Sequence, residues 1–164
     1  MNPNTEELMQ QLEQPYEGVE IKPLYTAVVT VTPGSEGHAR MSGHAESADG
    51  LLTLDLAMPR ELGGNGQATN PEQLFAAGYA ACFHGSLTLV ARKMRVDASQ
   101  SAVICAITIG RDPADGGYKL VANLKVEMPN SEREKAEQVV AQAHQLCPYS
   151  KAIAGNVDVK VAVV

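Results

Sequence analysis

The sequence has few of the features that mark nucleic-acid-binding or membrane-spanning proteins. Its 164 residues carry 13 lysines and arginines against 19 acidic residues, a net charge of −6, and contain no basic run. Because phosphates are bound by a positive surface, this charge argues against a nucleic-acid partner. We find no stretch of about 18 apolar residues free of charge, and therefore expect neither a membrane span nor a membrane partner.

Cysteines are also scarce. Cys82, Cys105 and Cys147 are too few and too irregularly spaced for the disulfide framework of a small secreted protein. Residues 1–14 carry acids and amides where a secretion signal has a basic start and an apolar run. We therefore expect a cytoplasmic protein whose cysteines are structural thiols, metal ligands or redox groups.

The length and the hydrophobic content of 45% suit one domain with a full core. We predict an N-terminal extension over residues 1–23, as a short amphipathic helix or loose arm, and one domain over residues 24–164. Its predicted elements are strands at 24–32 and 51–56, a helix at 70–93, strands at 102–109 and 118–128, a helix at 131–147 and a strand at 156–164, with a connection or hairpin tip at 33–50. This order indicates an α+β domain in which helices pack on a mainly antiparallel sheet.

The first predicted helix is apolar on every side. Asn70 and Pro71 suit its N-cap and first turn, and Arg92 and Lys93 suit its last turn. A helix without a polar face is expected to be covered by other elements. Cys82 lies about three turns in, among small neighbours. It is either a small buried hydrophobe or a sulfur that a second thiol or a small substrate approaches.

The second predicted helix opens with the serine-to-glutamate spacing of a capping box, Ser131 to Glu134. It ends at Cys147, because the residue before a proline is disfavoured in the helical conformation. A helix end, together with small residues near Cys82, would permit the Cα approach of roughly 4.4–6.8 Å that a dithiol pair requires. Burial raises the pKa of a thiol, so a reactive thiolate there would need a nearby cation, oriented by a carboxylate.

Metal and hydrolase sites are not favoured by the same residues. Two cysteines and two histidines, Cys82, His84, His144 and Cys147, could in number supply a zinc site. Cys82 and His84 point about 200° apart on a helix and cannot bind the same ion, so a tetrahedral site would lack a ligand. A nucleophile elbow of the Gly-x-Ser-x-Gly kind is missing. We expect no metal site.

Four runs carry a resemblance to a known family: NPEQLFAAGYAACF at 70–83, PRELGG at 59–64, AHQLCPYS at 143–150 and GNVDV at 155–159. They resemble the organic hydroperoxide resistance (Ohr) branch of the Ohr/OsmC family, over residues 24–164. The resemblance implies an OsmC/Ohr-like fold, an intertwined homodimer with mainly antiparallel sheets wrapped around central helices. It also implies a thiol peroxidase that reduces fatty-acid and other organic hydroperoxides. No bound cofactor is implied, and lipoylated proteins or dihydrolipoamide would be the reducing co-substrate.

By position, Cys82 matches the peroxidatic cysteine of the family and Cys147 the resolving cysteine, which together would form a disulfide. Glu72 matches the glutamate that holds an arginine over the thiolate. The family carries that arginine in the hairpin after the first strand. Here the hairpin is longer and its arginine is Arg40, which we assign to the role, with Arg60 as the reserve candidate.

Two alternatives remain open. One is an OsmC-like peroxidase of broader substrate range. The other, made conceivable by the displaced arginine, is a non-catalytic lipid- or lipoyl-binding module of the same fold. Among the remaining residues, Cys105 is expected to be a structural thiol, His84 and His144 packing or surface histidines, and Pro148 and Tyr149 shapers of the turn at Cys147.

Overall fold

The structure is a computed structural model that describes residues 14–164. Its elements are β1 (Val29–Pro33), β2 (Ser42–Ser47), β3 (Thr53–Ala57), a 3₁₀ turn (Arg60–Leu62), α1 (Pro71–Met94), β4 (Ala102–Arg111), β5 (Tyr118–Glu127), α2 (Arg133–Leu146), α3 (Pro148–Ile153) and β6 (Asp158–Val163). The helices and strands predicted within residues 24–164 are present with shifted ends, and β2 and α3 are additional.

The strands form two separate three-stranded sheets, in the orders β1-β2-β3 and β4-β5-β6. The pairs β1–β2, β2–β3 and β4–β5 are antiparallel, whereas β5 and β6 pair in parallel. The parallel pair follows from the connection, because α2 and α3 carry the chain back along the sheet before β6 begins. The α+β class is confirmed, and two sheets are present, as the resemblance implied, in place of the single sheet indicated by the order of elements.

The hydrophobic core lies between the second sheet and the helices. Its largest fully buried side chains come from α1, β5, α2 and the residue that follows α2. They are Tyr79, Phe83, Leu87, Leu124, Val126, Val139 and Cys147. Of the residues described, those in this core and packed against it all lie from Phe75 onward. The first sheet is therefore outside the core, and the Ala57 N–H, which donates to the Thr69 carbonyl at 2.9 Å, joins it to the start of α1.

The start of α1 follows the sequence prediction. The Asn70 side chain accepts a hydrogen bond from the Gln73 N–H at 2.9 Å, and Pro71 occupies the first turn. The helix ends at Arg95, whose left-handed φ of 55° breaks the helical conformation. One side of α1 is nevertheless exposed, at Ala77, Ala81 and Gly85, so a single chain does not cover the helix all round.

The expectation that no long apolar stretch is free of charge needs correction. Residues 73–90 form an 18-residue stretch without Asp, Glu, Lys or Arg. By length and composition α1 is able to cross a membrane, with a mean hydropathy of 1.4 and 33% of the apolar window buried. One such helix is weak evidence, since core helices of soluble proteins meet the same criteria.

Other local predictions were wrong for identifiable reasons. Ser131 does not cap α2: its hydroxyl donates to the Asp97 carbonyl at 2.7 Å, and Glu132 occupies the N-cap without a side-chain hydrogen bond. The predicted connection at 33–50 contains β2, and the predicted strand at 24–32 begins only at Val29. These segments depend on pairing with distant residues, which local patterns do not encode.

The predicted N-terminal extension is described only in part. Residues 1–13 lie outside the described residues, and residues 14–28 contain no helix or strand and are exposed. The boundary between extension and domain at residue 23 therefore stays a prediction.

Candidate active site

The structure brings two of the three cysteines together. The Sγ atoms of Cys82 and Cys147 lie 3.6 Å apart, and both thiols are free. Cys82 lies in the middle of α1, and Cys147 forms the junction between α2 and α3. Cys147 is fully buried whereas Cys82 keeps some exposed surface. Any molecule that reacts with this pair must therefore reach Cys82 first.

Small residues and aromatic rings allow this close approach. A Cβ atom on Gly78 would lie only 3.1 Å from the Tyr149 hydroxyl oxygen, so a side chain at position 78 would crowd the segment after Cys147. The Tyr149 ring also stacks on Phe75, with ring centroids 6.2 Å apart. The chain after Cys147 is thus packed tightly along α1, as the small residues near Cys82 predicted.

The surroundings act on the Cys82 thiol in opposite directions. Burial raises the pKa of Cys82 above its ordinary value, and the hydrogen bond from the Tyr149 backbone N–H lowers it. The neighbouring Cys147 sulfur raises it further. The net effect is a raised pKa, so the thiolate of Cys82 is disfavoured within one chain.

A charged pair forms at the start of α1. An Arg40 guanidinium nitrogen, Nη2, lies 2.5 Å from Glu72 Oε1, and the Arg40 and Glu72 side chains are 31% and 14% exposed. Arg40 belongs to the loop between β1 and β2, so this contact also links the first sheet to α1. The reserve candidate, Arg60, instead donates from Nε to the Asn65 carbonyl at 3.2 Å.

The charged pair and the thiol pair are far apart in one chain. Glu72 and Cys82 lie ten residues apart on the same helix, which corresponds to about 15 Å along its axis. A guanidinium bound to Glu72 therefore cannot contact the sulfur of Cys82 in the same subunit. The roles assigned to Arg40, Glu72, Cys82 and Cys147 stay predictions, while the two contacts are present.

A buried hydrogen-bond chain behind the thiols was missed by the sequence reasoning. The Ser150 hydroxyl oxygen lies 2.9 Å from the Tyr79 hydroxyl oxygen and 2.9 Å from His144 Nδ1. Tyr79 and Ser150 are buried, and burial raises the pKa of Tyr79 above its ordinary value, with the Ser150 hydrogen bond opposing it. A tyrosine inside an otherwise apolar helix was the available signal, because a buried hydroxyl requires a partner.

A cavity of about 620 Å³ lies beside Arg40, between the first sheet and the end of the β4–β5 hairpin. The apolar part of its wall is contributed by Met58, Leu62 and Ile109, and the polar part includes His38, Arg40 and Arg111. Arg111 is held by a hydrogen bond to the Gly116 carbonyl and lies over the Tyr118 ring, 4.9 Å from its centroid. The cavity therefore combines an apolar wall with two guanidinium groups.

The remaining candidate groups lie elsewhere. Cys105, on β4, is partly buried, and burial raises the pKa of its thiol. His84 Nε2 lies 3.2 Å from the Ser101 hydroxyl oxygen, away from Cys147. Within residues 14–164, no group of three or more His, Cys, Asp or Glu side chains is arranged to hold a metal ion.

Known proteins share this architecture and sequence. The family model for OsmC-like proteins matches residues 64–162. OhrB of Bacillus subtilis, an organic hydroperoxide resistance protein, is 44% identical over 138 residues, which cover 84% of this chain and 96% of OhrB. An organic hydroperoxide resistance protein from Legionella pneumophila has a solved structure with a TM-score of 0.78 and 47% identity, over 87% of this chain and 98% of that one. The solved structure of OhrB has a TM-score of 0.75, over 87% of this chain and all of OhrB.

The chain belongs to the OsmC-like protein family, in its organic hydroperoxide resistance branch. The OsmC/Ohr-like fold expected from the sequence runs is thereby confirmed.

Proposed function

We propose that the protein acts in organic hydroperoxide resistance as a cysteine-based peroxidase. The observation that carries this proposal is the 3.6 Å contact between the Sγ atoms of Cys82 and Cys147, which are 65 residues apart in the sequence. Two free thiols in contact are the starting point of a thiol–disulfide cycle. The names of the relatives, including OhrB, support the substrate class.

In the proposed reaction the Cys82 thiolate attacks an oxygen of the peroxide bond. The O–O bond breaks, Cys82 becomes a sulfenic acid, and the alkoxide takes a proton and leaves as the alcohol. The Cys147 thiol then attacks the Cys82 sulfur, an S–S bond forms, and water leaves with the sulfenic oxygen. A dithiol restores both cysteines by exchange and is itself oxidised to a disulfide.

We propose a lipoyl-type dithiol, free or attached to a protein, as that reductant. Cys147 is fully buried and only Cys82 has exposed surface, so the reductant must reach into a narrow opening. A dithiol on a long slender arm fits this restriction better than a thiol pair embedded in a folded surface. No bound cofactor takes part in the cycle.

We further propose that the working unit is a homodimer in which the Arg40–Glu72 pair of one subunit serves the partner subunit's Cys82. The separation of about 15 Å along α1 places the Arg40–Glu72 pair far from Cys82 of the same chain. The raised pKa of Cys82 calls for a nearby cation. Both observations support a cation supplied by the partner subunit. Glu72 Oε2 is buried and has no hydrogen-bond partner within residues 14–164. A buried oxygen of this kind needs a donor, which in the proposed dimer comes from the partner subunit.

The exposed apolar residues support the same dimer. Val19, Ile21, Leu24 and Tyr25 are between 72% and 102% exposed in one chain. A run of large exposed apolar side chains marks an interaction surface. The exposed side of α1 carries small residues, which permit close contact between helices.

The cavity beside Arg40 supports an organic peroxide over hydrogen peroxide. Its volume of about 620 Å³ and its apolar wall suit an alkyl or acyl chain, whose burial is favourable. In the proposed dimer this cavity lies beside Arg40, which stabilises the Cys82 thiolate. The peroxide group would therefore bind near the thiolate, and the alkyl or acyl chain of the substrate would bind in the cavity.

Subunit complementation tests the proposal. With cumene hydroperoxide and dihydrolipoamide, Arg40→Ala is expected to retain about a hundredth of wild-type activity and Cys82→Ser none. If the two variants are unfolded together in equal amounts and refolded, half of the dimers are mixed and each mixed dimer has one intact site. About a quarter of wild-type activity is then expected.

If the mixture recovers no activity while both variants are folded and dimeric, Arg40 of one subunit does not act on Cys82 of the other. Wild-type protein whose thiols survive excess cumene hydroperoxide would overturn the peroxidase itself and favour the non-catalytic lipid- or lipoyl-binding module. A greater rate with hydrogen peroxide than with cumene hydroperoxide would favour the OsmC-like peroxidase of broader range.

A further inference from the structure

We infer that Ser150 is a positioning residue for disulfide closure: its hydroxyl links the helix of Cys82 to the segment of Cys147 and holds the two sulfurs in contact, 3.6 Å apart. The inference rests on the proposed function in that the disulfide is part of the proposed cycle. Ser150 is not assigned to the reacting atoms, because its hydroxyl contacts Tyr79 and His144 and neither cysteine.

The two partners of Ser150 lie at matching places. Tyr79 precedes Cys82 by three residues on α1, and His144 precedes Cys147 by three residues on α2. Each partner is therefore about one helical turn from one of the cysteines. A single hydroxyl, 2.9 Å from both partners, thus connects the two helices at the level of the sulfur atoms.

The segment that carries Cys147 needs such a link. α3 has six residues, and the side chain of its N-cap, Cys147, makes no capping hydrogen bond. A helix this short is unstable by itself, so contacts with other elements fix its place. Ser150 lies in the first turn of α3 and is 4% exposed. Its position therefore sets where Cys147 lies relative to α1.

The hydroxyl of Ser150 is suited to two partners because it both donates and accepts. Either the Tyr79 hydroxyl donates to Ser150 and Ser150 donates to His144 Nδ1, or both hydrogen bonds run the other way. Removing the Ser150 hydroxyl would leave the fully buried Tyr79 hydroxyl without this partner. The strain would be relieved by movement of α3 or α1, which increases the spread of sulfur–sulfur distances.

Equilibration with glutathione measures this positioning without any peroxide. In mixtures of reduced and oxidised glutathione, the Cys82–Cys147 disulfide fraction is read by alkylation and mass spectrometry. We expect Ser150→Ala to lower the equilibrium constant for the disulfide about tenfold, which corresponds to about 30 mV. Ser150→Thr, which keeps the hydroxyl, is expected to stay within about threefold of wild type.

Ser101→Ala is the matched control. Ser101 also contacts a histidine, with its hydroxyl oxygen 3.2 Å from His84 Nε2, and it also donates to a backbone carbonyl, that of Ala98. This network does not touch α3, so the disulfide equilibrium should not change. Tyr79→Phe removes the Ser150 hydrogen bond from the other side and should lower the constant in the same direction, which keeps the test valid if Ser150→Ala does not fold.

Stopped-flow measurement of closure gives the second readout. After one equivalent of peroxide, Ser150→Ala should convert the Cys82 sulfenic acid to the disulfide about tenfold more slowly, with rescue in Ser150→Thr. Equal equilibrium constants for wild type, Ser150→Ala and Tyr79→Phe would overturn the inference, as would equal losses in Ser150→Ala and Ser101→Ala. Wild type that equilibrates with glutathione but does not consume peroxide would overturn the proposed function alone.

Discussion

The thiol half and the charged half of the candidate site are built on different principles. The thiol half, Cys82 and Cys147, lies in a core formed by three helices and the second sheet. The charged half, Arg40 and Glu72, lies where the first sheet meets the start of α1, outside that core. Packing within one chain is enough to place two sulfur atoms. The arginine is placed by a loop and one ion pair, and the buried Glu72 Oε2 has no hydrogen-bond partner among residues 14–164.

The largest expected effect is a loss of folding stability when a side chain in the core around the thiol half is truncated. Leu124→Ala removes a fully buried side chain from the central strand of the second sheet and should lower the free energy of unfolding by about 2–5 kcal/mol. Urea unfolding of the reduced protein measures this. Lys125→Ala, at the next and solvent-exposed position of β5, is the matched control and should change stability by less than about 0.5 kcal/mol. A similar loss in both variants would contradict the placement of the core.

The next effect is a loss of activity when the guanidinium of the charged half is removed. Arg40→Ala should lower kcat/KM for cumene hydroperoxide by about a hundredfold, or about 2.7 kcal/mol, because a cation that stabilises the thiolate is lost. Arg60→Ala is the control. Its guanidinium is engaged with the Asn65 carbonyl, so activity should be retained.

The pH dependence of Arg40→Ala follows from the raised pKa of Cys82. Burial favours the neutral thiol, and only the thiolate attacks peroxide. In Arg40→Ala the rate should therefore rise about tenfold for each unit of pH up to that raised pKa, whereas wild type should level off at lower pH. Profiles that level off at the same pH would show that Arg40 does not act on Cys82.

A smaller effect tests the part played by the cavity beside the charged half. Arg111 is held beside the apolar wall by the Gly116 carbonyl and the Tyr118 ring, and is suited to pair with a carboxylate. Arg111→Gln should lower kcat/KM about tenfold for a fatty-acid hydroperoxide and less than about twofold for its methyl ester. Arg133→Gln, at an exposed ion pair with Glu137, should alter neither. Equal losses for acid and ester would rule out carboxylate recognition by Arg111.

The smallest effect concerns the third cysteine. Burial raises the pKa of Cys105, so the folded state keeps its proton at a pH where the unfolded thiol, with a pKa of about 8.5, has lost it. The contribution of Cys105 to stability is therefore full below about pH 8.5 and is lost as the pH rises through the folded pKa. Urea unfolding at pH 7 and pH 9.5 should give a smaller decline in Cys105→Ala than in wild type. Identical declines would mean that other groups cause the loss.

The sequence by itself determined α1 and the residues worth testing. The Asn70 cap, the Pro71 start and the uncharged helix interior are local features, and the structure confirms the cap and the helix. The runs around Cys82 and Cys147 were long enough to identify the family, because they combine helix, turn and cysteine positions in one order.

Tertiary structure alone decided how those residues are arranged. The Arg40–Glu72 contact and the Tyr79–Ser150 hydrogen bond join residues 32 and 71 positions apart. The division into two sheets and the role of Ser131 likewise depend on distant partners. Local propensity carries no information on such contacts, since each depends on where other elements pack. The sequence shows that Glu72 and Cys82 are ten residues apart. This spacing corresponds to a distance of about 15 Å only because both residues lie in one unbroken helix, which the structure shows.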